Sequence, residues 1–230
     1  MKNIDIHKLK TSSFFAALPQ DVIQSLLNLG KLYSYSKKEM IFHAGICENQ
    51  VYLLLDGEVI IYNLTKHGNK KILFILGDGH LLNHNIVSQK PVSIFCEAVQ
   101  SARILQISIQ DFLKLMADHP CLTQAVMAEY ERYIWRLSHQ LKNTSGNLLT
   151  ERKIAAKLWK LGRDFGQKRE DGVHIRIKMT MTLLADFVGA PRENVSRACK
   201  SLAGRGLLIY RNQQFILPDV DGLSKFYKQN

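Results

Sequence analysis

Arg192, Glu193, Ser196, Arg197 and Lys200 recur at intervals that place them on one solvent-facing side of a helix. Their chemistry is recognition rather than catalysis. An Arg guanidinium can donate two bonds to O6 and N7 of guanine, a Glu carboxylate can accept from N4 of cytosine, and a Lys suits phosphate oxygens. Interleaved Val195, Ala198, Cys199 and Leu202 give the opposite side an apolar stripe. The pattern predicts a helix over residues 192–203, with Pro191 in its first turn, where a missing N–H leaves no bond unmade. Upstream, Leu183, Leu184, Phe187 and Val188 mark a short helix over residues 182–188, and Gly189-Ala190-Pro191 stops it. Two helices joined by a three-residue turn make a helix-turn-helix, whose second helix fits the major groove of duplex DNA. Gly206 ends the second helix, and residues 207–210 and 214–217 read as a hairpin around Arg211-Asn212-Gln213, a wing beside the reader.

The charge follows the same division. The 230-residue chain carries 31 Lys and Arg against 20 Asp and Glu. From residue 148 onward there are 16 basic and 8 acidic residues, a net +8; the 147 residues before them hold 15 and 12, a net +3. A basic half that contains the helix-turn-helix is what a phosphate-binding surface needs. At 46% apolar the chain can build real cores. No apolar run approaches about 18 residues, and the opening MKNIDIHKLK lacks a signal-peptide core, so a soluble, cytoplasmic protein without a membrane partner is expected. Cys47, Cys96, Cys121 and Cys199 are scattered without a C-x-x-C pair, which disfavours a disulfide framework. No Walker loop, G-x-S-x-G or nucleophile–base motif is present, and no enzyme is expected.

The elements that must position these groups start with a helical rhythm over residues 14–29 (Phe14, Phe15, Leu18, Val22, Ile23, Leu26, Leu27). From 31 to 109 the texture is short β-prone runs, at 40–42, 51–55, 59–62, 71–76, 93–97 and 103–108. Gly45, Asp56-Gly57, Gly68 and Gly77-Asp78-Gly79 punctuate them, which argues for an antiparallel sandwich, roll or barrel. No helix long enough for a crossover interrupts the runs, so a doubly wound sheet is disfavoured. Residues 120–143 read as one long helix. Within it Met127, Tyr130, Ile134, Leu137 and Leu141 keep the spacing of a coiled-coil seam, which predicts a homodimer. Residues 143–147 read as a hinge, 149–162 as an amphipathic helix, 163–172 as a loop and 173–178 as a strand.

These residues resemble the cyclic-AMP receptor protein/FNR family of bacterial transcription regulators over nearly the whole chain. In the first half the resemblance rests on Phe15-x-x-Leu18, Ile41-Phe42-x-x-Gly45, Val51-Tyr52-Leu53-Leu54-Leu55-x-Gly57-x-Val59, Gly68 and Gly77-Asp78. In the second half it rests on Leu184-Ala185-x-x-x-Gly189-x-x-Arg192-Glu193-x-Val195-Ser196-Arg197-x-x-x-x-Leu202 and Gly206-Leu207. The resemblance implies an α+β protein. Residues 1–118 would form an antiparallel, jelly-roll-like β-roll sensor, residues 119–147 a dimerisation helix and hinge, and residues 148–230 a winged helix-turn-helix. It also implies a palindromic double-stranded DNA site, with Glu193 and Arg197 reading TGTGA- or TTGAT-like half-sites, and RNA polymerase as a partner if the protein activates. Arg192 matches the additional reader of the cyclic-AMP branch, and Ser196 matches the FNR branch.

The resemblance also tests the sensor. Relatives that bind cyclic AMP carry Gly-Glu and Arg-Ser where this chain has Leu81-Leu82 and Val92-Ser93. Without the carboxylate and the Arg, an anionic phosphate would meet an apolar wall at a desolvation cost of several kcal/mol. Cyclic AMP is therefore disfavoured, and so is an iron–sulfur cluster, because no Cys precedes Cys47. The expected effector pocket is His80, Leu81, Leu82, Val92, Ser93 and Tyr130, suited to an apolar or aromatic small molecule. No metal site is expected, because His80 and His84 lack a third ligand, while haem stays open because haem-sensing relatives use a ligand close by. The rival readings are a ligand-sensing roll that acts on a protein partner, and a haem or redox sensor of the same architecture.

Overall fold

The computed structural model describes residues 6–47, 49–144 and 149–228; of Lys8, Ser13 and residues 141–144 it describes the backbone alone. The chain divides into two compact units, residues up to Asn63 with Leu73–Ser138, and Leu64–Ile72 with His139 onward. The fold class is α+β: a β-sheet N-terminal domain, one long helix and a C-terminal helix-turn-helix. No helix among the described residues is long and apolar enough to cross a membrane.

Helices α1 (Ile6–Leu9), α2 (Ser13–Ala16) and α3 (Gln20–Leu29) lead into strands β1 (Lys31–Tyr35), β2 (Met40–Phe42), β3 (Gln50–Asp56) and β4 (Val59–Leu64). Strands β5 (Lys70–Leu76), β6 (His80–Leu81), β7 (Phe95–Ala98) and β8 (Ala102–Ser108) follow, then α4 (Ile109–Asp118) and α5 (Pro120–Thr144). One sheet runs β1-β8-β3-β6 and the other β2-β7-β4-β5, all observed pairings being antiparallel. The continuous apolar run of β3 has a structural reason. Val51, Leu53 and Leu55 enter one core with α2 to α5, while Tyr52 and Leu54 enter a second core with β2, β4, β5 and β7. Strand β8 alternates in the same way, Leu105 and Ile107 against Ala102 and Ile104. At the end of β3 the register slips, and Gly57 takes φ +104, where a Cβ would collide with the Ser101 carbonyl.

Several boundaries differ from the sequence expectation. The N-terminal helix breaks at Pro19, which caps α3 with φ −58 and ψ 155. Strand β1 is almost wholly exposed and shows no apolar alternation, so its pairing with β8, Lys31 opposite Gln106, is what makes it a strand. Strand β6 is two residues long and carries no pattern of its own; it exists through the pairing of Leu53 with Leu81.

The second unit contains α6 (Thr150–Phe165), β9 (Gly166–Arg169), β10 (Gly172–Ile175), α7 (Met181–Val188), α8 (Arg192–Gly204), β11 (Ile209–Arg211), β12 (Gln214–Leu217) and α9 (Val220–Lys228). Buried Ile154, Leu158, Leu184, Val195, Leu202, Phe215 and Leu223 mark its interior. The expected loop 163–172 instead contains β9, whose polar Gly-Gln-Lys-Arg sequence is strand only because Gln167 and Lys168 pair with His174 and Val173. The wing hairpin is thereby the edge of a four-stranded sheet, β11-β12-β10-β9. Strand β10 ends at Ile175 rather than at residue 178. Helix α9 is not among the elements expected from the sequence; Asp219 starts it by accepting from the N–H of Gly222 at 2.8 Å. Ser145, Gly146 and Asn147 of the expected hinge lie outside the described residues.

Candidate nucleic-acid interface and effector cradle

Thr180 accepts from the N–H of Leu183 at 3.1 Å and so caps α7. Gly189 ends it in the left-handed region, φ 73 and ψ 42, with its N–H donating to the Ala185 carbonyl at 2.8 Å. Pro191 stands at the cap of α8 with φ −55 and ψ 138, one residue earlier than the first-turn place expected of it. Extended backbone there turns the chain between the two helices. Val195, Ala198, Cys199 and Leu202 are buried, while Arg192, Glu193, Arg197 and Lys200 are exposed and Ser196 is half-buried. One face of α8 thus holds the helix in the core, and the other presents two Arg, one Glu and one Lys to solvent. Arg197 donates from Nη2 to Asn194 Oδ1 at 2.6 Å, a tether one turn back that the sequence reading lacked. Gly206 at φ 72 closes α8, its N–H donating to Ala203, and the Leu207 N–H donates to Leu202. The wing turns at Asn212 and Gln213, both at positive φ.

The six residues expected to line one effector pocket are distributed over two cores. Leu81 and the half-buried Tyr130 join the core facing the helices, while Leu82 and Val92 join the core between the sheets. Ser93 is exposed and His80 half-buried. The polar centre of the cradle is a residue the sequence reading did not name: Glu129 of α5, whose side chain is 0% exposed. His80 Nδ1 lies 2.5 Å from its Oε1, and Arg132 donates from Nη1 to its Oε2 at 2.7 Å. The Tyr133 hydroxyl, one turn on, donates to the Leu81 carbonyl at 2.5 Å, and burial, reinforced by the charge of Glu129, pushes its pKa well above the ordinary value. Burial also pushes the Tyr130 phenol up to about 12, and its hydroxyl finds no bonding partner among the described residues. The available sequence signal was a Glu on the inward face of a long amphipathic helix, where an ionised group must be paired.

The segment after β6 is closed by amides. Asn83 is fully buried; its Oδ1 accepts from the Tyr52 N–H at 3.1 Å and its Nδ2 donates to the Gln50 carbonyl and to Asn85 Oδ1, each at 3.0 Å. Asn85 in turn donates to the Lys90 carbonyl at 2.8 Å. The Lys90 side chain is exposed. His80 sits in a strand and His84 beyond it, so no helical turn brings them together, and among the described residues no three His, Cys, Asp or Glu gather as a metal site.

Along α5, Met127, Ile134 and Leu137 are 58%, 64% and 37% exposed, as a seam would require of a single protomer. Tyr130 instead packs inward, and the Leu141 side chain lies outside the described residues. Trp135, also exposed at 57%, lies off the seam's rhythm. Cys96 and Cys199 are buried; burial raises the Cys96 thiol well above its usual range and Cys199 to about 11, which suits packing rather than redox chemistry.

Two family models match this chain. One described as Crp-like helix-turn-helix domain covers residues 152–226, and one described as cyclic nucleotide-binding domain covers residues 32–119. The cAMP-activated global transcriptional regulator CRP of Haemophilus influenzae is 26% identical over 208 residues, 89% of this chain and 92% of that protein. The fumarate and nitrate reduction regulatory protein of Escherichia coli is 21% identical over 195 residues, 82% of this chain and 75% of that protein. Among solved structures, the c-di-GMP responsive global regulator CLP of Xanthomonas campestris has a TM-score of 0.77 at 18% identity, covering 87% of this chain and 100% of that one. A CooA mutant from Carboxydothermus hydrogenoformans has a TM-score of 0.74 at 21% identity, covering 88% and 90%. These structural likenesses establish the fold.

Because Glu129 is charged and buried, removing one of its partners exposes an uncompensated desolvation cost. Arg132→Met should destabilise the protein by about 1–3 kcal/mol in urea denaturation, and adding Glu129→Gln should recover part of that loss. Equal stability of Arg132→Met and wild type would show that solvent reaches Glu129.

Proposed function

The chain belongs to the CRP/FNR family of transcription regulators, and from that premise we propose that it acts as a homodimer on a palindromic DNA site under control of an effector that is not a cyclic nucleotide. Binding of DNA through a helix-turn-helix is the family's property. The finer assignment is carried by one observation: Arg192, Glu193, Arg197 and Lys200 stand exposed on the helix that follows the Gly189 turn. Glu193 and Arg197 read bases in half-sites of TGTGA or TTGAT type, and Lys200 meets phosphate. Arg197→Ala and Glu193→Ala should each cost about 1–3 kcal/mol on the matched palindrome and relax preference at one base position, whereas Lys200→Ala should weaken all duplexes alike. A mobility-shift assay in which Arg197→Ala loses equally on matched and random DNA would sink the assignment.

The dimer is supported by the exposed Met127, Ile134 and Leu137 on one long helix. A seam there sets the two readers about one helical turn of DNA apart, roughly 34–36 Å. Replacing Ile134 and Leu137 by Lys places like charges across the two-fold axis and should give monomers with weak DNA affinity. Sedimentation of that double variant as an unchanged dimer would refute the seam.

The effector reading is supported by the cradle's chemistry. Leu82 and Val92, aligned with the charged positions of cyclic-AMP-binding relatives, are buried among apolar side chains. Glu129, the buried carboxylate that meets β6 at His80, is already bonded to His80 and Arg132. A cyclic phosphate would have to draw Arg132 from Glu129, or Arg136 from the face of the Phe74 ring, to replace its hydration. Calorimetry with cyclic AMP should therefore give no saturable heat at millimolar ligand. Saturable binding below roughly 100 μM, a free energy beyond about 5 kcal/mol in magnitude, would overturn this part.

A further inference from the structure

Asp171 occupies the turn between β9 and β10, and its two carboxylate oxygens serve two different elements. Oδ1 lies 2.6 Å from Nε2 of His174 in β10, and Oδ2 accepts from Nη2 of Arg211 at 3.2 Å. His174 is buried, with a side chain 5% exposed, whereas Asp171 and Arg211 are 45% and 62% exposed. The buried ring therefore fixes the carboxylate, and the carboxylate holds the exposed guanidinium. The His174 bond and the Arg211 charge keep the Asp171 carboxyl below its ordinary range, so it is ionised wherever DNA binding would be measured. Arg211 is the last residue of β11 and enters the wing turn at Asn212 and Gln213. It is the wing's cation beside that turn, and it is already neutralised.

We propose that Asp171 withholds Arg211 from DNA phosphate, so that the wing meets the duplex with a bound carboxylate in place of a free cation. This rests on the reading of the second unit as the DNA-binding surface. An exposed ion pair of this kind is weak, so a phosphate can compete for Arg211. Asp171 does not swing away when it does, because His174 retains it. A fixed negative charge then stays beside the DNA backbone, and the wing's share of the electrostatic affinity is reduced. The effect is independent of base sequence, since phosphate contacts position and do not specify.

The test uses Asp171→Asn, which keeps an acceptor for His174 and removes the charge. With random and matched duplexes across about 50–200 mM salt, Asp171→Asn should bind both about three- to fivefold more tightly at the low end, and the slope of log K against log salt should steepen by about 0.9. Arg211→Gln should cost more in the Asp171→Asn background than in wild type, and the double variant should lose the gain and the extra slope. Preference among half-site variants should be unchanged, which checks that α8 is intact. A wild-type slope in Asp171→Asn, weaker binding by it, or a gain that survives Arg211→Gln overturns the proposal while leaving the regulator reading in place. Wild-type protein that binds neither duplex at about 50 mM salt overturns that reading, and this one with it.

Discussion

A carboxylate with no access to water must be paired, and in the first unit that requirement falls on Glu129 of α5. Its two oxygens are met by His80 from a strand of the roll and by Arg132 from the next turn of its own helix. The hydroxyl of Tyr133 adds a bond from the helix to the backbone of β6. Apolar packing around Leu122, Ala125 and Val126 brings α5 onto the roll, but apolar contacts tolerate rotation and sliding. Directional bonds at 129 and 133 do not. Once those residues face inward, the 3.6-residue period turns Met127 and Ile134 outward, so these two exposed apolar side chains follow from the position of one buried acid.

The second unit uses a different constraint for the same end. Helix α8 owes its rotational setting to Val195, Ala198, Cys199 and Leu202, and its direction to the left-handed Gly189 and the extended Pro191 that precede it. Side chains at 193 and 197 then share a face one turn apart. The Arg197–Asn194 bond narrows the guanidinium's freedom, which would lower the ordering cost of the bidentate base contact proposed for it. Strands β10 and β9 extend the wing hairpin into a four-stranded sheet, and Asp171 joins the outer hairpin to Arg211. The exposed face of α8 and the wing are therefore each supported by elements behind them.

The sequence disclosed what a period or a special backbone angle announces. The α8 stripe, the Gly189 stop, the long α5 and the doubly buried β3 all carry local signals strong enough to survive tertiary context. Strands β1, β6 and β9 carry none, since exposed Lys-Leu-Tyr-Ser-Tyr, a two-residue His-Leu and polar Gly-Gln-Lys-Arg become strands only through partners distant in sequence. The cradle was legible only in part for the same reason. Leu81, Leu82 and Val92 were recognised as apolar, yet adjacent strand residues point to opposite faces, so Leu81 and Leu82 had to fall in different cores. Glu129 was hidden by its type: a Glu in an amphipathic helix reads as solvated unless its partner, here 49 residues away, is known.

That partner changes what an effector must do. The hydrogen-bonding groups around β6 and its continuation are bonded to one another: Glu129 with His80 and Arg132, Asn83 with Gln50, Tyr52 and Asn85, and Asn85 with Lys90. A ligand that needs any of these groups must first break bonds worth about 1.5–3 kcal/mol each where a charge is involved, and its gain is the surplus over that loss. The Tyr130 hydroxyl differs, being buried with no bonding partner among the described residues, so a ligand acceptor that reaches it breaks none of these bonds. An effector that bonds Tyr130 and leaves Glu129 paired would stabilise α5 where it lies. One that captures His80 or Arg132 would free the helix to turn, and with it the exposed Met127 and Ile134. For the effector proposed above, the chemistry of the ligand would then decide the direction of the response, since it can shift two arrangements only by its different affinity for each.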